Sequence, residues 1–234
     1  MSISLKTTAG VASNGVKVLV YGQAGVGKTT LIKTAPRPVI LSAEGGLLSL
    51  AGSDIPYLEV HSIQELSEAW QWLAKSEEAA GFETVCLDSL SEIAEVCLME
   101  NKYIVKDGKL TKTDGRLAYG DTGDQVTRLI RAFRDLPGKN VYFSAKLDKS
   151  EGQDGSRLFG PSMPSKSMSQ NLPYFFDEVF SLRVVKNQDG ETIRVLQTCS
   201  DTMWTGKDRS GRLDAWEPAD LGHVFAKIAG KASK

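Results

Sequence analysis

Gly22-Gln-Ala-Gly-Val-Gly27-Lys28-Thr29 matches G-x-x-x-x-G-K-[ST] at every constrained position. Glycines at this spacing let the backbone curl until successive N–H groups point inward, where they can meet phosphate oxygens. The N-terminus of the helix that must follow adds partial positive charge. In such a cradle the Lys28 ammonium reaches the β- and γ-phosphates of a nucleotide, and the Thr29 hydroxyl ligates Mg²⁺. Gly22, Gln23, Ala24, Gly25, Val26, Gly27, Lys28, Thr29 and Thr30 are therefore the candidate ATP contacts, with ATP and Mg²⁺ as the implied ligands.

Outward from this stretch, apolar runs alternate with amphipathic ones. Val16–Tyr21 (VKVLVY) reads as a buried strand feeding the glycine loop, and a helix from Lys28 to about Thr34 is stopped by Pro36 and Pro38. Val39–Ser42, Glu83–Asp88 and Val141–Ala145 read as further strands. Ser62 and Glu65 have capping-box spacing for a helix whose stripe is Leu66, Ala69, Trp70 and Leu73. A second helix runs from Ser89 to about Tyr103, and a third is capped by Asp121 or Thr122 and ends near Leu136. The segments 104–120 and 146–172, rich in glycine and polar residues, read as loops. Strands over 178–185 and 192–198 flank Asn-Gln-Asp-Gly, a hairpin signal, and Pro218 opens a last helix to about Ala229. The expectation is an α/β fold with a mostly parallel central sheet flanked by helices and a C-terminal antiparallel hairpin. One domain covers 16–230, after a flexible leader over 1–15.

Composition narrows the class. The chain has 234 residues, 41% of them hydrophobic, enough for one substantial core. A formal net charge of −1 excludes a wholesale polyanion binder, so any nucleic-acid contact must be a local basic patch. The three cysteines show no CxxC pairing, the two histidines are isolated, and no apolar run approaches membrane length. With no secretory signal visible, a cytoplasmic protein without membrane contact is expected.

Two acids stand at strand ends. Asp88 closes the Glu83–Asp88 run and is placed to hold the hydration shell of Mg²⁺ opposite Thr29; the alternative is a cap on the next helix. Glu44 follows the Val39–Ser42 strand, with Gly45 and Gly46 leaving room around its carboxylate. It either orients a water for hydrolysis or is an exposed turn residue. Lys106, Lys109, Lys112 and Arg116 outnumber Asp107 and Asp114 in the 104–120 segment, with Tyr103 and Tyr119 at its ends. The second polar segment holds Arg157, Phe159 and Lys166. Cations interleaved with rings suit single-stranded nucleic acid, and a solvated loop is the alternative.

Taken in order, these motifs resemble the RecA-like P-loop ATPases. Ile40-Leu-Ser-Ala-Glu44-Gly-Gly is similar to that family's glutamate-bearing strand, and Val85-Cys-Leu-Asp88-Ser89 to its second acidic motif. Val141-Tyr-Phe-Ser-Ala-Lys146 resembles its sensor strand, and 146–172 stands where the family has its second DNA-binding loop. The chain looks most like the short phage-encoded RecA-core ATPases linked to recombination and single-strand annealing. The resemblance implies Glu44 as the water-activating residue and Lys146 at the sensor position. It makes Lys207 and Arg209 the pair that reaches a neighbouring subunit's ATP. It also implies a DNA-stimulated ATPase in a ring or filament homo-oligomer, acting on single-stranded DNA with a single-strand-binding protein as candidate partner, inside a phage-infected bacterial host. Two rivals remain. Ala145-Lys146-Leu147-Asp148 is one residue from the guanine-reading motif of a GTPase, and the 147–172 segment with Arg157 could be the lid of a small-molecule kinase.

Overall fold

The computed structural model describes residues 14–152 and 154–231. All of the leader expected over 1–15 except its last two residues therefore lies outside the described residues. In chain order the elements begin β1 Lys17–Gly22, α1 Lys28–Leu31, β2 Pro38–Ser42, β3 Tyr57–Glu59, α2 Ile63–Lys75, α3 Glu77–Ala80, β4 Thr84–Asp88 and α4 Leu90–Lys102. A small hairpin, β5 Tyr103–Lys106 and β6 Lys109–Lys112, leads into α5 Gly115–Arg134. Then come β7 Asn140–Glu151, β8 Arg157–Pro161, α6 Lys166–Asn171, β9 Glu178–Lys186, β10 Thr192–Gln197, β11 Lys207–Asp208, β12 Trp216–Pro218 and α7 Leu221–Ile228.

The main sheet has the order β12-β10-β9-β1-β7-β4-β2-β3, with β11 added to β9 and β8 to β7. Every pairing from β9 through β1, β7, β4 and β2 to β3 is parallel, while β10, β11 and β12 at one edge, and β8 along the extension of β7, pair antiparallel. All six residues of β1 are buried, because the strand is covered on both faces. Leu19 and Tyr21 join Leu66, Leu73, Ile93, Val126 and Phe133 of α2, α4 and α5 in one core. Val18 and Val20 join Ile32, Leu221, Val224 and Phe225 around α1 and α7 in the other. The Ser62–Glu65 capping box forms: the Ser62 hydroxyl accepts from the Glu65 N–H, and the Glu65 carboxylate accepts from the His61 N–H.

Three segments differ from the sequence expectation. The 104–120 loop is instead the β5–β6 hairpin followed at once by α5. Asp107 (φ 51°) and Gly108 (φ 74°) supply the left-handed pair of a two-residue turn. Asp114, not Asp121 or Thr122, caps α5, its carboxylate accepting from the Arg116 and Leu117 N–H groups. The described residues of the polar 146–172 stretch likewise form regular elements for the most part. β7 runs six residues beyond Ala145, β8 returns alongside it, and α6 follows with a Ser165 cap. Pro218 ends β12, and Asp220 caps α7 by accepting from the His223 N–H.

Candidate active site

The P-loop sits at the carboxyl end of β1, near the middle of the sheet. Gly25 (φ 74°) and Gly27 (φ 107°) occupy left-handed backbone that a side chain would strain. The Val26 N–H closes onto the Gln23 carbonyl, and Leu31 N–H onto that of Gly27. The intervening Gly27, Lys28, Thr29 and Thr30 amides have no main-chain acceptor, as the first turn of any helix leaves them. Lys28 folds back across the loop, its ammonium donating to the carbonyls of Gly22 (3.0 Å) and Gln23 (3.1 Å). Burial lowers its pKa, while the charges of Asp88 and Glu44 oppose that shift.

Asp88 is 5% exposed at the end of β4. One carboxylate oxygen accepts from the Thr29 hydroxyl at 2.5 Å, the other from the Ser144 hydroxyl. Ser144 reaches it because β7 lies between β1 and β4. Two residues earlier on the same strand, the Tyr142 hydroxyl donates to the Lys28 carbonyl (2.8 Å) and holds the start of α1. The helix cap at this strand end is Ser89, whose hydroxyl accepts from the Glu92 N–H, so the Asp88 carboxylate is left for the P-loop. The Ser89 hydroxyl also donates to Glu44, which is otherwise exposed just beyond β2. The oxygen-only set of Thr29 hydroxyl and Asp88 carboxylate suits Mg²⁺, a hard cation that keeps several waters and takes the rest of its shell from phosphates. Among the described residues there is no cage of three or more His, Cys, Asp or Glu side chains, so Mg²⁺ would have no all-protein site here.

Lys146 pairs in register with Gly22, next to the P-loop, but its ammonium bonds to Glu92 at 2.6 Å and lies 3.6 Å from Glu95. Burial pulls its pKa down, and the glutamates more than restore it, leaving it raised. Asp148 of the GTPase-like stretch lies in β7 opposite Gly160, and the segment read as a kinase lid contains strands β7 and β8 and helix α6.

Lys207 and Arg209 are not brought to this end. Lys207 pairs with Val179, which is itself level with Leu19, well below the P-loop. Its ammonium donates to the Phe176 (2.6 Å) and Pro173 (3.1 Å) carbonyls, and burial lowers its pKa. Arg209 pairs with Asp177 at 2.9 Å. Lys106, Lys109, Lys112 and Arg116 are exposed on the β5–β6 hairpin and the first turn of α5, and Arg157 and Lys166 are exposed on β8 and α6. Ser144 and Tyr142 were missed by sequence reading. The signal available was two hydroxyls spaced by two in an otherwise apolar strand.

No curated protein sequence matches the chain. Among solved structures, the KaiC-like protein PH0186 from Pyrococcus horikoshii OT3 is similar over 78% of each chain, with a TM-score of 0.42 and 14% identity. A family model described as an AAA domain matches residues 14–210, nearly the whole of the described chain. With the P-loop on β1 and the buried acid on β4, the chain belongs to the AAA domain family of P-loop ATPases.

Proposed function

We propose that the protein is a Mg²⁺-dependent ATPase that acts on single-stranded DNA in phage-type recombination or annealing, as a homo-oligomer in the cytoplasm of a bacterial host. The observation that carries the reading is the convergence of Lys28, Thr29, Asp88, Ser144, Ser89 and Glu44 at one end of the sheet. The Lys28 ammonium, bonded only to carbonyls, is free to exchange them for β- and γ-phosphate oxygens. Mg²⁺, when bound, supplies charge neutralisation; Thr29 and Asp88 would hold it, the latter through water. Glu44, held by Ser89, orients the attacking water and takes its proton.

Lys207, level with Leu19, and Arg209, beside Asp177 near the start of β1, lie away from their own P-loop, a placement that suits action on a neighbour's nucleotide. Arg209 leaves Asp177 to do so, and its exposed side chain permits that. The two hairpins support the DNA role. Each projects from the core and carries exposed cations, Lys106, Lys109 and Lys112 on one and Arg157 on the other. ATP hydrolysis measured with and without single-stranded DNA at two salt concentrations tests the reading. Stimulation that fades at high salt is expected. Turnover indifferent to DNA removes the nucleic-acid half and leaves the ATPase.

A further inference from the structure

A second cation lies against the P-loop, on a strand that no motif points to. Arg194, on β10, donates from Nε to the Val26 carbonyl at 2.8 Å. Its side chain lies flat against Gly27: a Cβ there would come within 2.9 Å of Arg194 Nε and 3.2 Å of Cδ. Glycine at position 27 is favoured by its φ of 107°, and a side chain there would push the arginine aside. Other arginines near acids or amides are engaged: Arg37 with Glu83, Arg134 with Asp135, Arg183 with Gln197 and Arg209 with Asp177. Among the described residues Arg194 has no ion pair, and its one hydrogen bond uses Nε, so both Nη atoms are free and the side chain is exposed.

We propose that Arg194 is a nucleotide-binding residue supplied in cis, whose guanidinium contacts the phosphate chain from the outer wall of the P-loop. The proposal rests on the reading that the P-loop holds a nucleotide. The protein cations at the mouth are few: Lys146 is committed to Glu92 and Glu95, so besides the Mg²⁺ that Thr29 and Asp88 would hold, Lys28 and Arg194 are the side chains left to face a polyphosphate. The shape of the group also fits. A guanidinium can keep Nε on a main-chain carbonyl while its two Nη atoms present a fork to phosphate oxygens, which an ammonium cannot do. This cation belongs to the same protomer, so it strengthens binding whether or not a neighbour is present. That separates it from the Lys207–Arg209 pair.

The test is calorimetry with Mg·ATP and Mg·ADP on the full chain, at a protein concentration where it is monomeric. Arg194→Gln and Arg194→Lys are compared with wild type, alongside the thermal midpoint of each without nucleotide. Arg194→Gln is expected to weaken both nucleotides about tenfold or more and to flatten the dependence of affinity on salt, with the midpoint nearly unchanged. Arg194→Lys, which keeps the charge, is expected to recover part of the affinity and the salt dependence. Wild-type affinity in Arg194→Gln overturns the proposal. So does an equal loss in both variants with a lowered midpoint, because that identifies a strut for Val26 rather than a phosphate contact. If wild type itself binds no Mg·ATP, the nucleotide reading has failed first, and Lys28→Ala will show no difference from wild type either.

Discussion

Asp88 and Glu178 are carboxylates buried to a similar degree, 5% and 1% exposed, at opposite ends of one parallel array of strands. Asp88, where β4 ends, receives two hydroxyl donors, Thr29 and Ser144, one on each oxygen. Glu178, where β9 begins, receives one long bond from the Ser210 N–H (3.3 Å), and its other oxygen has no hydrogen-bond partner. Its neighbours Asp208 and Asp177 are acids. Burial and then the Asp208 charge push its pKa up to about 8. Burial does not by itself decide what a carboxylate does. Donors on α1 and β7 occupy both oxygens of Asp88, and the lack of such donors leaves Glu178 holding a proton near neutrality.

The contrast is broken most severely by removing the cation that faces Asp88. Lys28→Ala leaves Asp88 and Glu44 at the P-loop mouth with Arg194 as the remaining cation. Affinity for Mg·ATP by calorimetry is expected to fall at least about a hundredfold. Retention of wild-type affinity would mean that the cradle is not the nucleotide site. Glu44→Gln should act differently, since in the proposed mechanism Glu44 serves water rather than the nucleotide. Turnover is expected to drop about 100-fold or more, with nucleotide affinity within about twofold of wild type. Unchanged turnover removes Glu44 as the base and returns it to the status of an exposed turn residue.

The same contrast shows what was readable from the chain. Asp88 and Glu44 were legible because a strand covered on both faces is a run of apolar residues, and the first polar residue after it marks the sheet's carboxyl end. Ser144 was not, because it meets Asp88 only once β7 is known to lie between β1 and β4, and strand order is not a local property. The tethering of Lys207 to the Pro173 and Phe176 carbonyls was hidden in the same way, since it depends on a single 3₁₀ turn, Leu172–Phe175, packed beside β11. The β5–β6 hairpin was a different failure. Its Asp107-Gly108 turn signal was present, but lysine- and glycine-rich flanks outweighed two four-residue strands that are exposed along their whole length.

The smallest effect is expected at the other carboxylate. Because the folded pKa of Glu178 is about 8 and the ordinary value is 4.5, the folded state holds one more proton than the unfolded chain between those limits. Stability contributed by this group is full below the ordinary value and is lost as pH rises through 8, the direction opposite to that of a salt-bridged acid. Around Glu178 stand Asp177, Asp208, Lys207 and Arg209. Asp177 is paired with Arg209, and Asp208 lies below the usual carboxylate range despite its burial, through hydrogen bonds from Ser210, Leu213 and Gly211, so Asp208 does not mask the effect in this window. Lys17, lowered to about 8 by burial, acts above that pH and with the opposite sign, raising stability as it loses its proton. Wild-type stability by denaturant unfolding is therefore expected to fall between about pH 5 and pH 8 by on the order of 2 kcal/mol. Glu178→Gln, a permanently neutral mimic of the protonated acid, should flatten that decline and overtake wild type at pH 8, while leaving nucleotide affinity at the far end of the sheet unchanged. Parallel pH profiles for the two proteins would show that Glu178 is ionised in the fold, and the distinction between the two carboxylates would then rest on the hydroxyls of Thr29 and Ser144 alone.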